Sequence, residues 1–393
     1  MSGSTRSYDM ARRFVAAGHE VHVITSARDR NTELKGWKEE TLDGIHVHWL
    51  SVPYSNTMSF SRRIIAFFKF AVASSLKARN IGGDVVFATS TPLTIAIPGV
   101  LASKKFNIPL VFEVRDLWPK VPIAIGAVKN PIAIFLARWL ERFAYDHSTR
   151  IVAFSPHMKN EITKVGVANG VVTVVPNGCD NQLFRVPAKW GLEFRREHQY
   201  LEEGQLCIHA GSISQIDGVD YLVAIAHEML KLGSNVKFLI VGRGRSELTI
   251  RRLAEKLGVY EKNLWIMPPV AKKTMPKLMS AATISVAFAK PLAVLEDSFP
   301  NKSYDSLAAG KPLMINHRGW QADILEETGA GIVVPPDDAR KAAEMLHDFL
   351  QDQERLEKAG RAAAELADTR FSRDKLAGQL LTVLDAAVAE AKR

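Results

Sequence analysis

Short apolar runs alternate with longer stretches of helical periodicity along the first half of the chain. Most of the short runs are rich in valine and isoleucine and are apolar on both faces, which is typical of buried parallel strands. A helix with one apolar face is predicted over residues 5–17, ending at Gly18. The strands of this half are predicted at residues 20–25, 45–50, 84–89, 109–114, 150–154 and 171–176.

The same alternation starts again after residue 204 and predicts strands at 206–210, 236–241, 263–267, 283–288, 312–315 and 331–334. Parallel strands that alternate with helices indicate an α/β fold, here two doubly wound Rossmann-like domains that face a cleft. We expect the first domain over residues 1–185, the second over 205–370 and a final long helix within 371–393. The charged stretch 181–204 is predicted to connect the domains.

The chain opens on small polar residues that lead directly into the first helix. A doubly wound domain normally has a strand before such a loop. No residues are therefore left in this chain to form the first strand of the amino-terminal domain. Either the true start lies upstream of Met1, or this domain has one strand fewer than usual.

Composition narrows the class of protein. The 393 residues are 47% hydrophobic and 24% charged, which excludes a wholly disordered or fibrous chain. Two cysteines, Cys179 and Cys207, exclude a disulfide framework and a four-cysteine zinc site. The net charge of +9 suits an anionic partner, whether a nucleic acid, a phosphorylated small molecule or an anionic membrane face.

The amino terminus and the longest charge-free run indicate whether the protein is secreted or inserted in a membrane. The first eight residues are polar and small, so no signal peptide is predicted. The run 85–103 reaches membrane-spanning length, but Pro92, Pro98 and Gly99 favour a strand, a loop and a buried helix. We therefore expect a soluble cytoplasmic protein.

Glycine-rich loops are the first candidates for chemistry. Gly242, Arg243, Gly244 and Arg245 follow a predicted strand and precede a helix, where backbone amides bind anions. The third glycine and the acidic residue of a nicotinamide-binding fingerprint are missing. The alternative is a tight strand-to-helix turn. The segment 209–212 ends another strand in the same way, and a plain turn explains it as well.

The segment 297–312 is the most informative one. Pro300 and Gly310 bound a short predicted helix, and Lys302 in its first turn is unfavourable for the helix dipole unless an anion binds there. Asp305 lies on the same face at i+3. The two could hold a diphosphate and a sugar hydroxyl, or they could form a surface ion pair worth only about 0.3 kcal/mol.

Charged residues also end a strand of the first half. Glu113, Arg115 and Asp116 are three charges in four residues, which are costly to bury without partners, so we expect them to face the cleft. A functional role is favoured here. The later segment 176–180 also follows a strand and predicts a tight turn, for which simple turn chemistry is the alternative explanation.

Residues 58–79 predict a basic amphipathic helix without an acidic residue. Such a helix can lie on an anionic bilayer, and an ordinary packing helix with a solvated basic face is the equal alternative. The expected membrane contacts are Arg62, Arg63, Phe67, Phe68 and Lys69.

The remaining motif classes are absent from the sequence. His46 and His48 alternate on one predicted strand, which is more often a structural pair than a pair of ligands, and no metal pattern is found. A phosphate-binding Walker loop, a nucleophile elbow and a recognised RNA-binding motif are also missing. We therefore expect neither a metal site nor a nucleic-acid partner.

Several of these segments together resemble glycosyltransferase family 4, the retaining enzymes with the GT-B fold. The resemblance covers nearly the whole chain from Gly3 to the final helix. It looks most similar to the L-fucosamine (N-acetylfucosaminyl) transferases of O-antigen and exopolysaccharide assembly. It rests on residues 5–11, 18–21, 113–119, 176–180 and 300–312, in this order and spacing.

The resemblance implies a nucleotide-sugar donor, usually a UDP-sugar, held mainly by the second domain. A saccharide or undecaprenyl-linked acceptor is implied on the first domain, and the last helix is expected to cross back to that domain. The family requires no metal. A protein of this kind would work in the cytoplasm, peripherally at the inner face of the plasma membrane.

Site residues follow from the same resemblance. The family's two glutamates, with seven residues between them, correspond to Asp297 at the donor sugar and Asp305 at the ribose hydroxyls, while Lys302 would meet the diphosphate. The implied catalytic residues are Arg115, Asp116, Asp297 and Lys302. The implied donor-binding residues are Gly3, Ser4, Gly211, Ser212, Gly242, Arg243, Arg245, Asn301, Lys302 and Asp305.

The chain also departs from the family at two places. Ser212 and Asp217 stand near positions where many members have Arg and Lys. The negative charge of the phosphates must then be neutralised by Lys302, by Arg243 or Arg245, and by the helix N-terminus. Arg115 stands where many members have a histidine, and would stabilise the leaving phosphate.

The resemblance thus implies hexosyl or N-acetylhexosaminyl transfer by a front-face mechanism, with an N-acetylated deoxyhexosamine as one candidate sugar. The rival hypothesis is a non-catalytic GT-B protein that binds a nucleotide or a partner glycosyltransferase. The shorter aspartates and the missing first strand favour that rival. A third hypothesis, a sugar-nucleotide epimerase, would need acid and base residues that nothing in the sequence singles out.

Overall fold

The computed structural model describes residues 6–27, 36–54, 58–90, 92–124, 126–292, 295 and 299–392. These residues form two compact units. The amino-terminal unit contains Thr5–Pro176 together with Asp374–Arg393. The carboxy-terminal unit contains Asn177–Arg373. The residues predicted as donor contacts at positions 3, 4 and 297 lie outside the described ranges.

The amino-terminal unit contains two sheets. One has the order β1-β3-β2, and the other is the parallel sheet β4-β5-β6-β7. The strands are β1 (His22–Ala27), β2 (Trp37–Leu42), β3 (Ile45–Ser51), β4 (Val86–Thr89), β5 (Leu110–Val114), β6 (Arg150–Ala153) and β7 (Val172–Val174). The helices are α1 (Arg6–Ala16), α2 (Phe60–Ala78), α3 (Ala96–Phe106), α4 (Lys120–Ala124), α5 (Pro131–Asp146) and α6 (Pro156–Lys164).

Strand β2 is not among the predicted strands. It pairs antiparallel with β3 across a two-residue turn. Asp43 and Gly44 in that turn have φ of 49° and 79°, the left-handed pair that a tight hairpin turn requires. The Asp-Gly dipeptide is the sequence feature that indicates this hairpin. The polar sequence of β2 lacks the apolar pattern by which a strand is predicted.

The predicted interpretation of residues 85–103 is confirmed. Strand β4 is followed by a short 3₁₀ turn at Leu93–Ile95 and then by α3. None of the helices in the described ranges combines the length and the apolar character that crossing a bilayer requires.

The core of the amino-terminal unit is built on β5, which is buried along its whole length. The last helix, α16 (Arg373–Ala391), packs Leu376, Leu380 and Leu384 into a cluster with Val111 and Val152 of the parallel sheet. A helix at the end of the chain was predicted at nearly these bounds.

The carboxy-terminal unit has one six-stranded sheet in the order β10-β9-β8-β11-β12-β13, and all its strand pairs are parallel. The strands are β8 (Leu206–Ala210), β9 (Lys237–Val241), β10 (Leu264–Met267), β11 (Ile284–Val286), β12 (Leu313–Ile315) and β13 (Gly331–Val333). The helices are α7 (Asn181–Phe184), α8 (Ala188–Glu197), α9 (Val219–Lys231), α10 (Glu247–Lys256), α11 (Met275–Ala281), α12 (Asn301–Ala308), α13 (Trp320–Thr328), α14 (Ala339–Gln351) and α15 (Gln353–Thr369).

Both faces of this sheet are buried, as its continuous apolar strands predict. Leu206 and Ile208 belong to one apolar cluster, whereas Cys207 between them belongs to the cluster on the other face. The predicted doubly wound architecture is confirmed for this unit. The stretch 181–204, predicted as a connector, forms α7 and α8 here.

Candidate active site

The loop after β8 and the first turn of α12 bring a lysine and an aspartate together. Lys302 Nζ lies 3.6 Å from Asp217 Oδ1, and the lysine side chain is 10% exposed. Its aliphatic part passes over Gly211, where an added Cβ would lie 3.4 Å from Lys302 Cδ. Open α/β sheets bind ligands at the carboxyl ends of their strands, so this pair occupies the expected edge of the sheet.

Two serines hold the aspartate in place. Ser212 Oγ donates a hydrogen bond to Asp217 Oδ2 at 2.7 Å, and the Ser214 backbone N–H donates to the same oxygen at 3.1 Å. The Ser214 hydroxyl also donates to it. Burial acts to raise the pKa of Asp217, but the Lys302 ammonium and the serine hydroxyls outweigh burial and lower the pKa. The carboxylate is therefore an anion at neutral pH.

Two opposing effects act on the pKa of Lys302, and the net result is a pKa below its ordinary value. Burial lowers its pKa, whereas the Asp217 carboxylate raises it. His209 lies behind the pair, and burial together with the Lys302 charge lowers the pKa of this histidine to about 3. A neutral His209 whose Nε2 lies 3.2 Å from the Ser212 carbonyl donates a hydrogen bond to it. Lys302 is thus the cation of this cluster.

Helix α12 presents the lysine at its first turn. Pro300 precedes the helix, and no side chain in the described part of the chain caps the free N–H groups of that turn. Asn301 is exposed, and its side-chain carbonyl accepts a hydrogen bond from Asn177 Nδ2. Asp305 is half-buried one turn further on. Amide groups and an ammonium at one helix end favour an anion there.

The glycine-rich loop has a structural role of its own. An added Cβ at Gly242 would lie 1.8 Å from the Gly211 carbonyl oxygen, and one at Gly244 would lie 2.1 Å from that of Ile213. The Gly211 N–H bonds to the Val241 carbonyl at 2.9 Å. These glycines therefore let the loops after β8 and β9 pack against each other. Arg243 and Arg245 extend from this loop and are exposed.

Predicted residues of the amino-terminal unit lie at the carboxyl end of β5. Glu113 is buried, and its Oε1 accepts hydrogen bonds from Arg6 Nε at 3.0 Å and Arg6 Nη2 at 2.9 Å. The expectation that Glu113 faces a cleft is therefore wrong, because the buried Arg6 neutralises it. Arg115 is half-buried with its guanidinium 5.9 Å from the Phe154 ring centre, and Asp116 is exposed.

Helix α2 is confirmed, and its predicted membrane contacts divide into two groups. Arg62, Phe68 and Lys69 are exposed. Arg63 and Phe67 are half-buried against Tyr54, with the guanidinium 5.7 Å and the Phe67 ring 5.4 Å from the tyrosine ring centre. The structure adds an apolar stripe that is at least half exposed and consists of Ile65, Phe68, Val72 and Leu76.

The structure brings one part of the predicted site together. Gly211, Ser212, Asn301 and Lys302 are clustered within the carboxy-terminal unit, while Arg115 and Asp116 belong to the amino-terminal unit. The sequence interpretation assigned no role to Ser214 or to His209. For Ser214, the sequence feature that could have indicated a role is the presence of two serines shortly before an aspartate, since hydroxyl groups commonly donate hydrogen bonds to a nearby carboxylate.

Comparison with known proteins shows to which class of enzyme the chain belongs. Residues 3–178 match the family described as "Glycosyl transferase 4-like domain", and residues 192–366 match "Glycosyl transferases group 1". The chain is a glycosyltransferase of the GT-B type. Both compact units are therefore domains of known glycosyltransferase families.

Curated relatives of this glycosyltransferase are distant. It is 24% identical over 307 residues to "Probable glycosyltransferase WbjE" of Pseudomonas aeruginosa, covering 74% of this chain and 71% of the relative. It is 22% identical over 360 residues to "Capsular polysaccharide biosynthesis glycosyltransferase CapM" of Staphylococcus aureus, covering 90% and 86%. These relatives place the chain among glycosyltransferases with homologues in polysaccharide biosynthesis.

Solved structures establish the GT-B fold. The glycosyltransferase is similar to Anabaena Alr3699/HepE in complex with UDP, with a TM-score of 0.74, 15% identity and coverage of 98% of this chain and 97% of that one. It is also similar to sucrose-phosphate synthase from Thermosynechococcus elongatus, with a TM-score of 0.78, 18% identity and coverage of 98% and 94%.

Proposed function

We propose that this glycosyltransferase transfers a sugar from a UDP-linked donor, and that the donor diphosphate binds at Lys302. The observation that carries this proposal is the position of the lysine. Its ammonium is nearly buried, lies beside Gly211 at the end of β8, and belongs to the uncapped first turn of α12. The complex of HepE with UDP, a protein of the same fold, is a second support.

The proposed catalysis relies on charge and position rather than on a protein nucleophile. Lys302 stabilises the departing diphosphate, with the α12 amides as additional donors. Arg243 and Arg245, exposed on the neighbouring loop, are proposed as further phosphate contacts. Asp305 is proposed to bind the ribose hydroxyls, Asp297 the donor sugar, and Arg115 with Asp116 the reacting groups. No metal is assigned to this reaction.

The proposed acceptor is a saccharide of cell-surface polysaccharide synthesis, free or undecaprenyl-linked. The names of CapM and of "Alpha-D-kanosaminyltransferase" of Streptomyces kanamyceticus associate relatives of this chain with capsular polysaccharide and with an amino sugar. We propose an N-acetylated deoxyhexosamine as the sugar that is transferred.

Nucleotide-dependent thermal stabilisation tests the donor. UDP, GDP and ADP are compared on the purified protein, on Lys302→Ala, and on Lys262→Ala as a matched control with an exposed lysine in the same unit. A ligand at about 100 times its Kd adds about 2.7 kcal/mol to the folded state. A UDP shift that disappears only in Lys302→Ala supports the proposal. No shift with any nucleotide favours the non-catalytic hypothesis.

A lipid-linked acceptor would be reached at a membrane surface, and we place that contact on α2 and α5. Helix α2 has four basic residues and no acidic one beside its exposed apolar stripe. Helix α5 has a second stripe that is at least half exposed, consisting of Ile132, Phe135, Leu136 and Trp139. Both helices pack against α3. Apolar side chains beside basic ones fit an anionic bilayer surface at the inner face of the plasma membrane.

Liposome co-sedimentation tests this contact with anionic phosphatidylglycerol vesicles and neutral vesicles. Each basic side chain near an anionic surface adds about 1 kcal/mol, so Arg62→Glu with Lys69→Glu should weaken binding at least about 30-fold. Phe68→Ser with Trp139→Ser should also weaken it. Leu248→Ser, an exposed apolar residue of the other unit, is the control. Unchanged binding of both double variants would refute the contact.

A further inference from the structure

Three histidines and a glutamate come together on one face of the small β1-β3-β2 sheet. His22 of β1 is the register partner of His46 of β3, and their rings stack with centres 4.8 Å apart. His48 lies two residues further along β3, with its ring centre 5.4 Å from that of His22. Residues two apart in a strand share a face, so the three imidazoles point to the same side of the sheet.

The polar atoms of this cluster are within reach of one another. His22 Nε2 lies 2.9 Å from Glu20 Oε1, and His22 Nδ1 lies 3.1 Å from His48 Nε2. One ligand atom each of Glu20, His22 and His46 can be chosen so that all of them lie within 4.8 Å of one another. The Glu20 side chain is 76% exposed and that of His22 is 32% exposed, so an ion from solvent can enter.

We propose that Glu20, His22 and His46 form a binding site for a divalent transition-metal ion, with Zn²⁺ as the best fit. Zn²⁺ accepts imidazole nitrogen and carboxylate oxygen at about 2.0–2.2 Å in a tetrahedral arrangement, in which ligand atoms are about 3.4 Å apart. The ligand atoms lie within 4.8 Å of one another, so they need to approach by up to about 1.4 Å to reach that spacing, which rotation of partly exposed side chains provides.

Two nitrogens and one carboxylate oxygen also define the class of ion. This set suits Zn²⁺, Co²⁺, Ni²⁺ or Cu²⁺ and is a poor match for Mg²⁺ or Ca²⁺, which prefer oxygen ligands. Three protein ligands leave a fourth tetrahedral position for water. The ion would join β1 to β3, which are distant in the sequence, and the proposal does not depend on the glycosyl-transfer reaction.

His48 is assigned as a positioning residue for this ion. It is buried, its Nε2 contacts His22 Nδ1, and its Nδ1 lies 3.4 Å from Glu39 Oε1. Glu39 in turn pairs with Lys77 of α2. The ring nitrogen of a ligating histidine that does not bind the metal commonly bonds such an outer partner, which fixes the ring orientation.

Isothermal titration with Zn²⁺ and the visible spectrum of bound Co²⁺ test the site on the full 393-residue chain, without an affinity tag. We expect one ion per chain and the absorption of tetrahedral Co²⁺. His22→Ala and His46→Ala should each weaken Zn²⁺ binding more than about 100-fold. His48→Phe, which keeps the ring and its burial, should weaken it about 10–100-fold, as the loss of an outer partner does.

His19→Ala is the matched control, because His19 is an exposed histidine adjacent to Glu20 and is not part of the cluster. It should bind Zn²⁺ as the natural chain does. Thermal unfolding without metal shows whether each variant is folded, and added Zn²⁺ should raise the Tm only where the site is intact. Absence of a one-to-one Zn²⁺ complex, or equal losses in His19→Ala and His22→Ala, would overturn the proposal.

Discussion

Asp217 places a negative charge beside Lys302, the residue proposed to bind the donor diphosphate. Its carboxylate lies 3.6 Å from the Lys302 ammonium and is held there by Ser212 and Ser214. It favours the protonated form of the nearly buried lysine, since it raises a pKa that burial lowers. The same carboxylate competes with any phosphate for the ammonium. Asp217 therefore favours the positive charge of Lys302 but makes the ammonium less available to a phosphate.

Asp217→Asn separates these two effects through pH. Near pH 7 the variant should bind UDP about tenfold more tightly, because the competing carboxylate is gone. Only the protonated lysine attracts a diphosphate, so the affinity for UDP falls as pH rises and Lys302 loses its proton. Because the pKa of Lys302 is lowered, this decline occurs at a lower pH than it would for an ordinary lysine, whose pKa is about 10.4. Without Asp217 the pKa of Lys302 drops further, so the decline should begin at lower pH.

Titration calorimetry with UDP between pH 7 and pH 10 measures both effects. Asp220→Asn is the control, because Asp220 pairs with a different lysine, Lys290, in the same unit. An alkaline decline at the same pH in Asp217→Asn and in the natural chain would exclude the proposed role of this pair.

Glu141 on α5 gives a second prediction at the level of one residue. Burial raises the pKa of Glu141 to about 7, although the Tyr145 hydroxyl donates to its Oε1 at 3.3 Å and opposes the shift. The folded protein thus holds this proton more tightly than the unfolded chain does. Ionisation of Glu141 is therefore less favourable in the folded protein than in the unfolded chain and lowers the stability of the fold. This loss of stability is absent below about pH 4, grows as pH rises, and is complete above pH 7.

Glu141→Gln should therefore stabilise the amino-terminal unit at pH 8 and leave its stability unchanged at pH 4. The gain is about 1–2 kcal/mol after allowance for solvent screening, or about 3–6 °C in Tm. Thermal unfolding followed by circular dichroism at both pH values is the measurement. Stabilisation of equal size at both would assign the effect to something other than this proton.

At the scale of elements, a buried ion pair fastens α1 to the parallel sheet. Arg6 bonds Glu113 of β5 and donates through Nη1 to the Pro176 carbonyl at 2.7 Å beyond β7. Thr89 of β4 donates to the other Glu113 oxygen at 2.6 Å. One helix and three strand ends are therefore joined by one guanidinium and one carboxylate.

Arg6→Met should destabilise the amino-terminal unit by about 3–5 kcal/mol, because Glu113 is then left as a buried charge without its cation. Adding Glu113→Met should restore a large part of that loss, since two apolar side chains of similar volume need no partner. The two variants are compared by chemical denaturation. A double variant less stable than Arg6→Met would show that the carboxylate stabilises the unit without its arginine.

The elements also show what the sequence could and could not predict. The parallel strands were found because buried strands are continuous apolar runs, and β8 was predicted with its observed bounds, Leu206–Ala210. Strand β2 was missed because its exposed face is polar. The partner of Glu113 was missed because it is 107 positions away, and the histidine cluster because the register between β1 and β3 is a tertiary property. Local pattern predicts elements, but contacts between them depend on packing.

At the scale of the whole molecule, the two proposed binding surfaces lie on different compact units. The UDP site is assigned to the carboxy-terminal unit around Lys302, and the bilayer surface to α2 and α5 of the amino-terminal unit. Changes at sites that share no partners usually add independently. We therefore expect Lys302→Ala to leave liposome binding unchanged, and Arg62→Glu with Lys69→Glu to leave the UDP-induced Tm shift unchanged.

Catalysis on a membrane-bound acceptor should depend on both surfaces at once. With a lipid-linked acceptor in vesicles, the loss of either surface should reduce transfer, and the combined variant should show the product of the two losses. With a water-soluble saccharide acceptor, only Lys302→Ala should reduce transfer, because the acceptor no longer has to be reached at a bilayer. Equal loss of transfer to both acceptors in the α2 variant would mean that this surface serves the chemistry directly rather than the docking.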